Sequence, residues 1–211
     1  MFRNFLLALS TNQKAQGVAT HFGPARKMAR RFIAGETLDE AVAVVKELNR
    51  RGIHGLMNEV GESIASKAEA TQAAAEIETL LYRIAAEKLD SHVSLKPSHV
   101  GMTFGPDFCY ETVAKIVKTA RQLDNTVEMD IEESSDVDAT LEVYYRLLDT
   151  FGGGVRLAIQ GYLHRTPADI QPIIRGGGSI RLVKGAYNEP PDIAIQDKKA
   201  INQAMKEIMA S

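Results

Sequence analysis

Apolar positions along the chain alternate between short continuous runs and longer stretches with helical spacing. A capping-box pattern of Thr37 and Glu40 starts the first helical stretch, and Gly52 ends it. In later stretches apolar residues recur three and four positions apart, as at Ile77 and Leu81, which predicts amphipathic helices. The short runs are predicted strands, and they cover residues 54–61, 92–96, 126–132, 154–160 and 179–184.

The alternation of strands and helices predicts parallel pairing through right-handed crossovers. Five such units, spaced by roughly 25–40 residues, fit either a doubly wound α/β sheet or most of a (βα)8 barrel. No GxGxxG motif follows the first strand. Glycine runs at 152–154 and 176–178 precede strands, so they are interpreted as helix stops rather than phosphate loops. Residues 1–35 are interpreted as a helical segment that precedes the α/β region, residues 36–211.

Composition narrows the function only slightly. The chain has 211 residues, 45% of them hydrophobic, and a net charge of −2. This charge argues against nucleic acid as a partner, because nucleic-acid-binding proteins normally carry a basic surface. The single cysteine, Cys109, permits no intrachain disulfide and fits a cytoplasmic location. The N-terminal apolar run FLLAL is too short to span a membrane, and the histidines form no metal-binding motif.

Polar residues stand at the same end of successive predicted strands. Lys96, Asp130, Gln160 and Lys184 close the second to the fifth strand. In a parallel barrel these ends meet at the face that carries active sites. The two lysines also fit a simpler interpretation, in which each lies along apolar surface with its ammonium group in water.

Arg181 is the most unusual of the polar positions, because it stands inside a predicted strand between apolar Ile180 and Leu182. Its face of the strand points into the barrel. A buried cation there requires a partner, since an unpaired buried charge is very costly. Asp130 is the expected counter-ion, with a bound ligand as the alternative.

Four segments together resemble the proline dehydrogenase family over most of residues 35–200. They are VSLKPSHVG (93–101), VEMDIEES (127–134), IQGYLHRTPADI (159–170) and IRLVKGAY (180–187), the last followed by Glu189 and Pro190. The resemblance implies a (βα)8 barrel with FAD that oxidises L-proline to Δ1-pyrroline-5-carboxylate, the first step of proline degradation to glutamate. A hydride passes to the flavin N5, and the electrons pass on to a membrane quinone. This acceptor implies contact with the inner face of the membrane.

The resemblance also assigns roles to residues of this chain. Lys96 looks like the lysine beside the substrate carboxylate, and Tyr187 like the tyrosine that borders the substrate. Asp130 resembles the acid that orders the site, and Arg181 the arginine next to the flavin N5. The remaining cofactor contacts that it implies are Ile131, Gln160, Lys184, Gly185 and Ala186.

Two departures from the family pattern qualify the expected activity. Asn58 stands where the family commonly has an aspartate. The family pattern also continues past the position of Ser211 with three strands and a C-terminal helix, so the sequence is interpreted as five of eight barrel units. On this interpretation residues 1–211 alone are expected to self-associate, to hold no stoichiometric FAD and to be inactive.

Two other functions remain open from the sequence. A barrel enzyme of the aldolase type would use Lys184 to form a Schiff base. A non-catalytic, truncated paralogue would act by association through the open edge of its sheet.

Overall fold

The computed structural model describes residues 34–35, 37–59 and 64–210. The chain divides into two compact units, residues 1–53 and 54–211. In the first unit, helix α1 (Leu38–Arg50) begins at Thr37, whose hydroxyl accepts the Glu40 N–H at 3.3 Å. Gly52 follows the helix with a φ of +72°. The predicted start and end of this helix are confirmed, whereas the helices predicted within residues 1–33 lie outside the described residues.

The second unit contains a five-stranded sheet in which neighbouring strands are all parallel. Four of its strands are shorter than the predicted runs, the second has the predicted length but begins one residue earlier, and all five predictions are confirmed. They are β1 (Gly55–Asn58), β2 (Ser91–Leu95), β3 (Val127–Asp130), β4 (Val155–Gln160) and β5 (Ser179–Val183).

A helix follows each strand of the sheet. The five helices are α2 (Lys67–Ala86), α3 (Pro106–Gln122), α4 (Val137–Phe151), α5 (Thr166–Arg175) and α6 (Lys198–Ala210). Their apolar faces supply much of the core, including residues such as Ile77, Leu81 and Ile116, which are at most 1% exposed. Short 3-10 turns at 97–100, 102–104 and 134–136 lie between the carboxyl ends of β2 and β3 and the helices that follow.

The helical spacing of Val137, Leu141, Tyr145 and Leu148 predicts the apolar face of α4, and this prediction is wrong in its second half. Tyr144 and Leu147 are fully buried, while Tyr145 and Leu148 are only half-buried. The Tyr144 hydroxyl provides the physical reason, because it donates to the Ser179 carbonyl at 3.1 Å and accepts the Ser179 N–H at 3.1 Å. These hydrogen bonds at the start of β5 pair the Tyr144 hydroxyl, which burial would otherwise leave without a partner.

The order of the strands distinguishes between the two predicted architectures. The sheet runs β1-β2-β3-β4-β5, so each strand pairs with its predecessor. A doubly wound sheet reverses its strand order at a switch point, whereas barrel strands follow in sequence. The predicted α/β barrel class is therefore confirmed, with five βα units described. In this order the carboxyl ends of the strands share one edge of the sheet.

Alternation along the inner strands separates apolar from polar side chains. Val127 and Met129 of β3 are fully buried, and Glu128 and Asp130 lie on the opposite face of that strand. The register places Asp130 beside Ala158 of β4, and Ala158 beside Arg181 of β5. These three residues therefore occupy one level across three adjacent strands.

Candidate active site

Arg181 is the centre of an ion-pair cluster on the polar face of the sheet. Its Nη2 donates to Asp130 Oδ1 at 3.0 Å, although the two residues are on strands separated by β4. Ala158 lies between them in register, and its small side chain leaves room for the arginine to cross. The counter-ion predicted from the sequence is therefore confirmed.

Glu128 is a member of the cluster that sequence reasoning missed. One of its carboxylate oxygens contacts Nε of Arg181, and the other lies 3.7 Å from Nη1 of Arg156. The side chain is only 2% exposed. Its signal was available in the sequence, since Glu128 precedes Asp130 by two positions and so shares its face of the strand.

Burial opposes the ionised forms of both acids in this cluster. Burial raises the pKa of Asp130, while Arg181, and to a smaller extent Lys96, lower it. The pKa of Glu128 is also raised by burial, against the opposing effect of Arg181. Lys96 directly follows β2 and is half-buried. The cluster thus contains two acids whose pKa is raised by burial. Cations lie beside both acids and oppose that effect.

Gln160 ends β4 with a buried amide whose donor side is fully engaged. Its Nε2 donates to the carbonyl of Ile131 at 2.7 Å and to that of Glu132 at 2.8 Å. Within the part of the chain that the structure describes, its buried Oε1 has no hydrogen-bond partner. An unpaired buried acceptor is costly, so the site is suited to a ligand that carries an N–H group.

Two glutamates connect the loops at the carboxyl edge, and sequence reasoning missed both. Glu132 accepts the backbone N–H of Ser98 at 2.9 Å and its hydroxyl at 2.8 Å. Glu189 binds Ser134 in the same way, with both distances 2.7 Å. We call these two contacts the serine clasps. They tie the loop after β3 to the loops after β2 and β5, and so hold the surroundings of the cluster together.

Gly185 follows β5 with a φ of +115°, a region that favours glycine. A Cβ at this position would collide with the ring of Tyr162. The Tyr162 hydroxyl in turn donates to the Tyr187 carbonyl at 3.2 Å. The side of Gly185 on which a Cβ would stand therefore faces the ring of Tyr162.

The other predicted site residues have different degrees of exposure. Ile131 is 4% exposed, and its backbone N–H donates to the Ala158 carbonyl at 3.2 Å. Lys184 and Ala186 are exposed, and Tyr187 is half-buried. All three follow β5, at the same edge of the sheet as Asp130 and Gln160.

In the described residues no group of three histidine, cysteine, aspartate or glutamate side chains is arranged to hold a metal ion. No helix in the same part of the chain is both long and apolar enough to cross a membrane.

The strand order and the charged cluster define an α/β barrel domain with its polar site at the carboxyl ends of the strands. A family model described as proline dehydrogenase matches residues 41–200. The chain belongs to the proline dehydrogenase family.

Two curated relatives and one solved structure illustrate the relationship. Proline dehydrogenase 1 of Bacillus subtilis is 36% identical over 199 residues, which are 94% of this chain and 65% of the relative. Proline dehydrogenase of Deinococcus radiodurans is 33% identical over 186 residues, 86% of this chain and 60% of the relative. The chain therefore spans slightly less than two thirds of the length of these relatives.

The solved structure is proline utilization A from Bdellovibrio bacteriovorus, inactivated by N-propargylglycine. It superposes with a TM-score of 0.76 at 22% identity and covers 88% of this chain and 24% of that one. At this level of identity the superposition supports the fold.

Proposed function

We propose that the protein oxidises L-proline to Δ1-pyrroline-5-carboxylate with FAD as cofactor and passes the electrons to a membrane quinone. The observation that carries this proposal is the ion pair of Arg181 and Asp130, which lies at the carboxyl edge of the sheet in a chain of the proline dehydrogenase family. The reaction would be the first step of proline degradation to glutamate.

Three features of the site fit FAD. The unpaired Oε1 of Gln160 can accept the N–H group of an isoalloxazine ring. Arg181 supplies a fixed cation where negative charge would develop, a preorganised form of stabilisation. The exposed Lys184 can reach phosphate or ribityl oxygens. When bound, FAD would accept the two electrons that proline loses.

We assign Ile131, Gly185 and Ala186 to the walls of the cofactor site, where their backbone would approach the flavin. The buried Ile131 carbonyl already fixes the Gln160 amide, so this residue would act by holding Gln160 in place. Tyr162 packs against Gly185 and donates a hydrogen bond to the Tyr187 carbonyl, so it holds the segment that contains Ala186 at both ends.

Lys96 is assigned to the substrate carboxylate. Lys96 stands at the carboxyl end of β2, three strands away from Arg181 of β5. Its charge acts on Asp130 of β3. A compact ammonium group suits a single carboxylate. Tyr187 would border the apolar ring of proline from the opposite side. In this arrangement the substrate lies between Lys96 and the cofactor residues, and Asp130 orders Arg181.

We also propose that the protein is cytoplasmic and that a quinone acceptor would bring it into peripheral contact with the inner face of the membrane. Among the described strands, β1 and β5 are the edges of the sheet. Self-association through such an edge is a further expectation, which sedimentation at several concentrations would measure. The structure offers no support for Schiff-base chemistry at Lys184, because its side chain is exposed rather than held in an apolar pocket.

The test is a proline-dependent assay on the full-length protein with added FAD. Dye reduction should require L-proline, and the product should be trapped as the adduct of Δ1-pyrroline-5-carboxylate with 2-aminobenzaldehyde. A protein that binds FAD but gives no such product would refute the proposed reaction. Borohydride inactivation in the presence of a carbonyl substrate, abolished in Lys184→Met, would instead favour the aldolase alternative.

A further inference from the structure

Glu128 is an acid buried within the sheet, and the proposed reaction assigns it no role. Its side chain is 2% exposed, and its oxygens contact two guanidinium groups, those of Arg181 and Arg156. Neither oxygen makes a hydrogen bond of good geometry with a described residue. Burying a carboxylate in this way is costly unless cations compensate for the lost water. The two arginines supply this compensation.

The strand register explains how Glu128 reaches both arginines. Glu128 of β3 pairs with Arg156 of β4, while Asp130 is level with Arg181 of β5. Glu128 consequently contacts Arg181 from one level below, at Nε, and Asp130 contacts it at Nη2. Two contacts at different nitrogens fix the plane of the Arg181 guanidinium group. With only one contact, the group would be free to rotate.

The charges in the cluster also depend on this residue. The cluster contains the carboxyl groups of Asp130 and Glu128 and the guanidinium groups of Arg156 and Arg181. The positive charge of Lys96 also lowers the pKa of Asp130. Removing the Glu128 carboxylate leaves an imbalance at a position that is only 2% exposed, where electrostatic effects are larger than in water. Glu128 and Arg156 have no direct role in the proposed chemistry, so they can be changed without removing a proposed ligand contact.

We propose that Glu128 is a positioning residue that fixes the orientation of Arg181 and, together with Arg156, sets the reduction potential of the bound flavin. The inference rests on the proposed function, in which Arg181 lies next to the flavin. Glu128 acts through Arg181 and touches neither substrate nor cofactor. Its effect on the potential follows from charge: a negative charge near the flavin disfavours the reduced form, and a positive charge favours it.

The test compares the midpoint potential of bound FAD in full-length wild-type, Glu128→Gln and Arg156→Gln proteins. Glu128→Gln removes a negative charge and is expected to shift the potential to more positive values. Arg156→Gln removes a positive charge and is expected to shift it to more negative values. Glu87→Gln is the matched control, because it removes a carboxylate from an ion pair with Arg83 on α2, away from β3 and β5. This control is expected to keep the wild-type potential.

Opposite shifts would support the proposal, since general disruption of the fold has no reason to follow the sign of the charge removed. Shifts in the same direction, or potentials equal to wild type, would overturn it. If Glu128→Gln does not fold, the Arg156→Gln variant, at a half-exposed position, still tests the sign of the shift in midpoint potential. A wild-type protein that L-proline does not reduce would refute the proposed function, whereas normal reduction with unshifted potentials in the variants would refute only this inference.

A crystal structure of Glu128→Ala tests the positioning role without flavin. Arg181 is expected to leave its contact with Asp130 or to occupy several conformations. An unchanged Arg181 side chain would show that Asp130 alone fixes it and would overturn the positioning role.

Discussion

Arg181 of β5 reaches Asp130 of β3 across an intervening strand, with Nη2 and Oδ1 3.0 Å apart. The contact exists because β4 presents the small Ala158 at the same level. Adjacent strands lie about 4.8 Å apart, so a side chain as long as arginine is needed to span two of them. This one pair joins VEMDIEES and IRLVKGAY, two of the four segments that carry the resemblance to the proline dehydrogenase family.

Lys96→Ala is expected to raise the KM for proline about 10–100-fold, the effect of losing roughly 1.5–3 kcal/mol from a charged hydrogen bond. FAD content should stay at the wild-type level, because the proposed cofactor residues follow β3, β4 and β5. Steady-state kinetics and the flavin-to-protein absorbance ratio measure both quantities. Lys115→Ala, which removes an exposed lysine from α3, is the control. Loss of FAD with an unchanged KM would contradict the assignment of Lys96 to the substrate.

Each serine clasp is expected to stabilise the loops around the site. Ser134→Ala and Glu189→Gln should each lower the free energy of unfolding by about 1–3 kcal/mol, since each weakens hydrogen bonds to a carboxylate. The double variant should cost less than the two single changes added together, because both affect the same contact. Urea unfolding gives these values, and Ser135→Ala at the exposed neighbouring position is the control. Fully additive losses would show that the two residues act independently.

Gly185→Ala is expected to destabilise the protein by more than about 1 kcal/mol, since alanine fits poorly at a positive φ and its Cβ would collide with Tyr162. Gly105→Ala is a matched control. Gly105 has a similar φ of +100°, but no atom lies within 4 Å of the Cβ that alanine would add. Thermal or urea unfolding should therefore show a larger loss at Gly185. Equal losses would mean that the backbone angle alone requires the glycine.

Glu59 is expected to make the stability of the protein depend on pH. Burial, together with Glu76 beside it, raises the pKa of Glu59 from 4.5 to about 7. Between these values the folded state binds more protons at Glu59 than the unfolded state, so its contribution to stability falls as the pH rises from about 4.5 through about 7. The pKa of Glu76 is lowered, chiefly by Gln72, so its own contribution is lost only as the pH falls below 4.5.

Urea unfolding at several pH values checks this prediction. Glu59→Gln cannot ionise, so its stability should fall less steeply than that of the wild type between pH 4.5 and about 7. Parallel curves for wild type and Glu59→Gln would refute the role of Glu59.

Periodicity was sufficient to predict the strands, the capped helix at Thr37 and the edge that holds the polar residues. These features depend on local spacing and on the rule that parallel strands align their ends. The pairing of Arg181 with Asp130 was also predicted, although the expected burial of the arginine is wrong, since its side chain is 40% exposed. The choice between the barrel and the doubly wound sheet required the strand order, which local pattern does not contain.

The missed features depend on contacts between distant residues. Glu189 and Ser134 are 55 positions apart, and nothing in either loop indicates that they meet. The buried face of α4 was misassigned because Tyr144 finds its partners at β5, and no sequence period reports that contact. Glu128 lies inside its strand, so the alignment of polar residues at the strand ends does not predict its contact with Arg181.

The central claim is that Arg181 stabilises the reduced cofactor while proline is oxidised. The direct measurement is anaerobic stopped-flow reduction of FAD by L-proline in full-length wild-type and Arg181→Met proteins. We predict that L-proline bleaches the wild-type flavin absorbance and that the variant, with FAD bound, is reduced about 10²–10³-fold more slowly. A variant with near wild-type reduction and an unchanged flavin potential would contradict the claim.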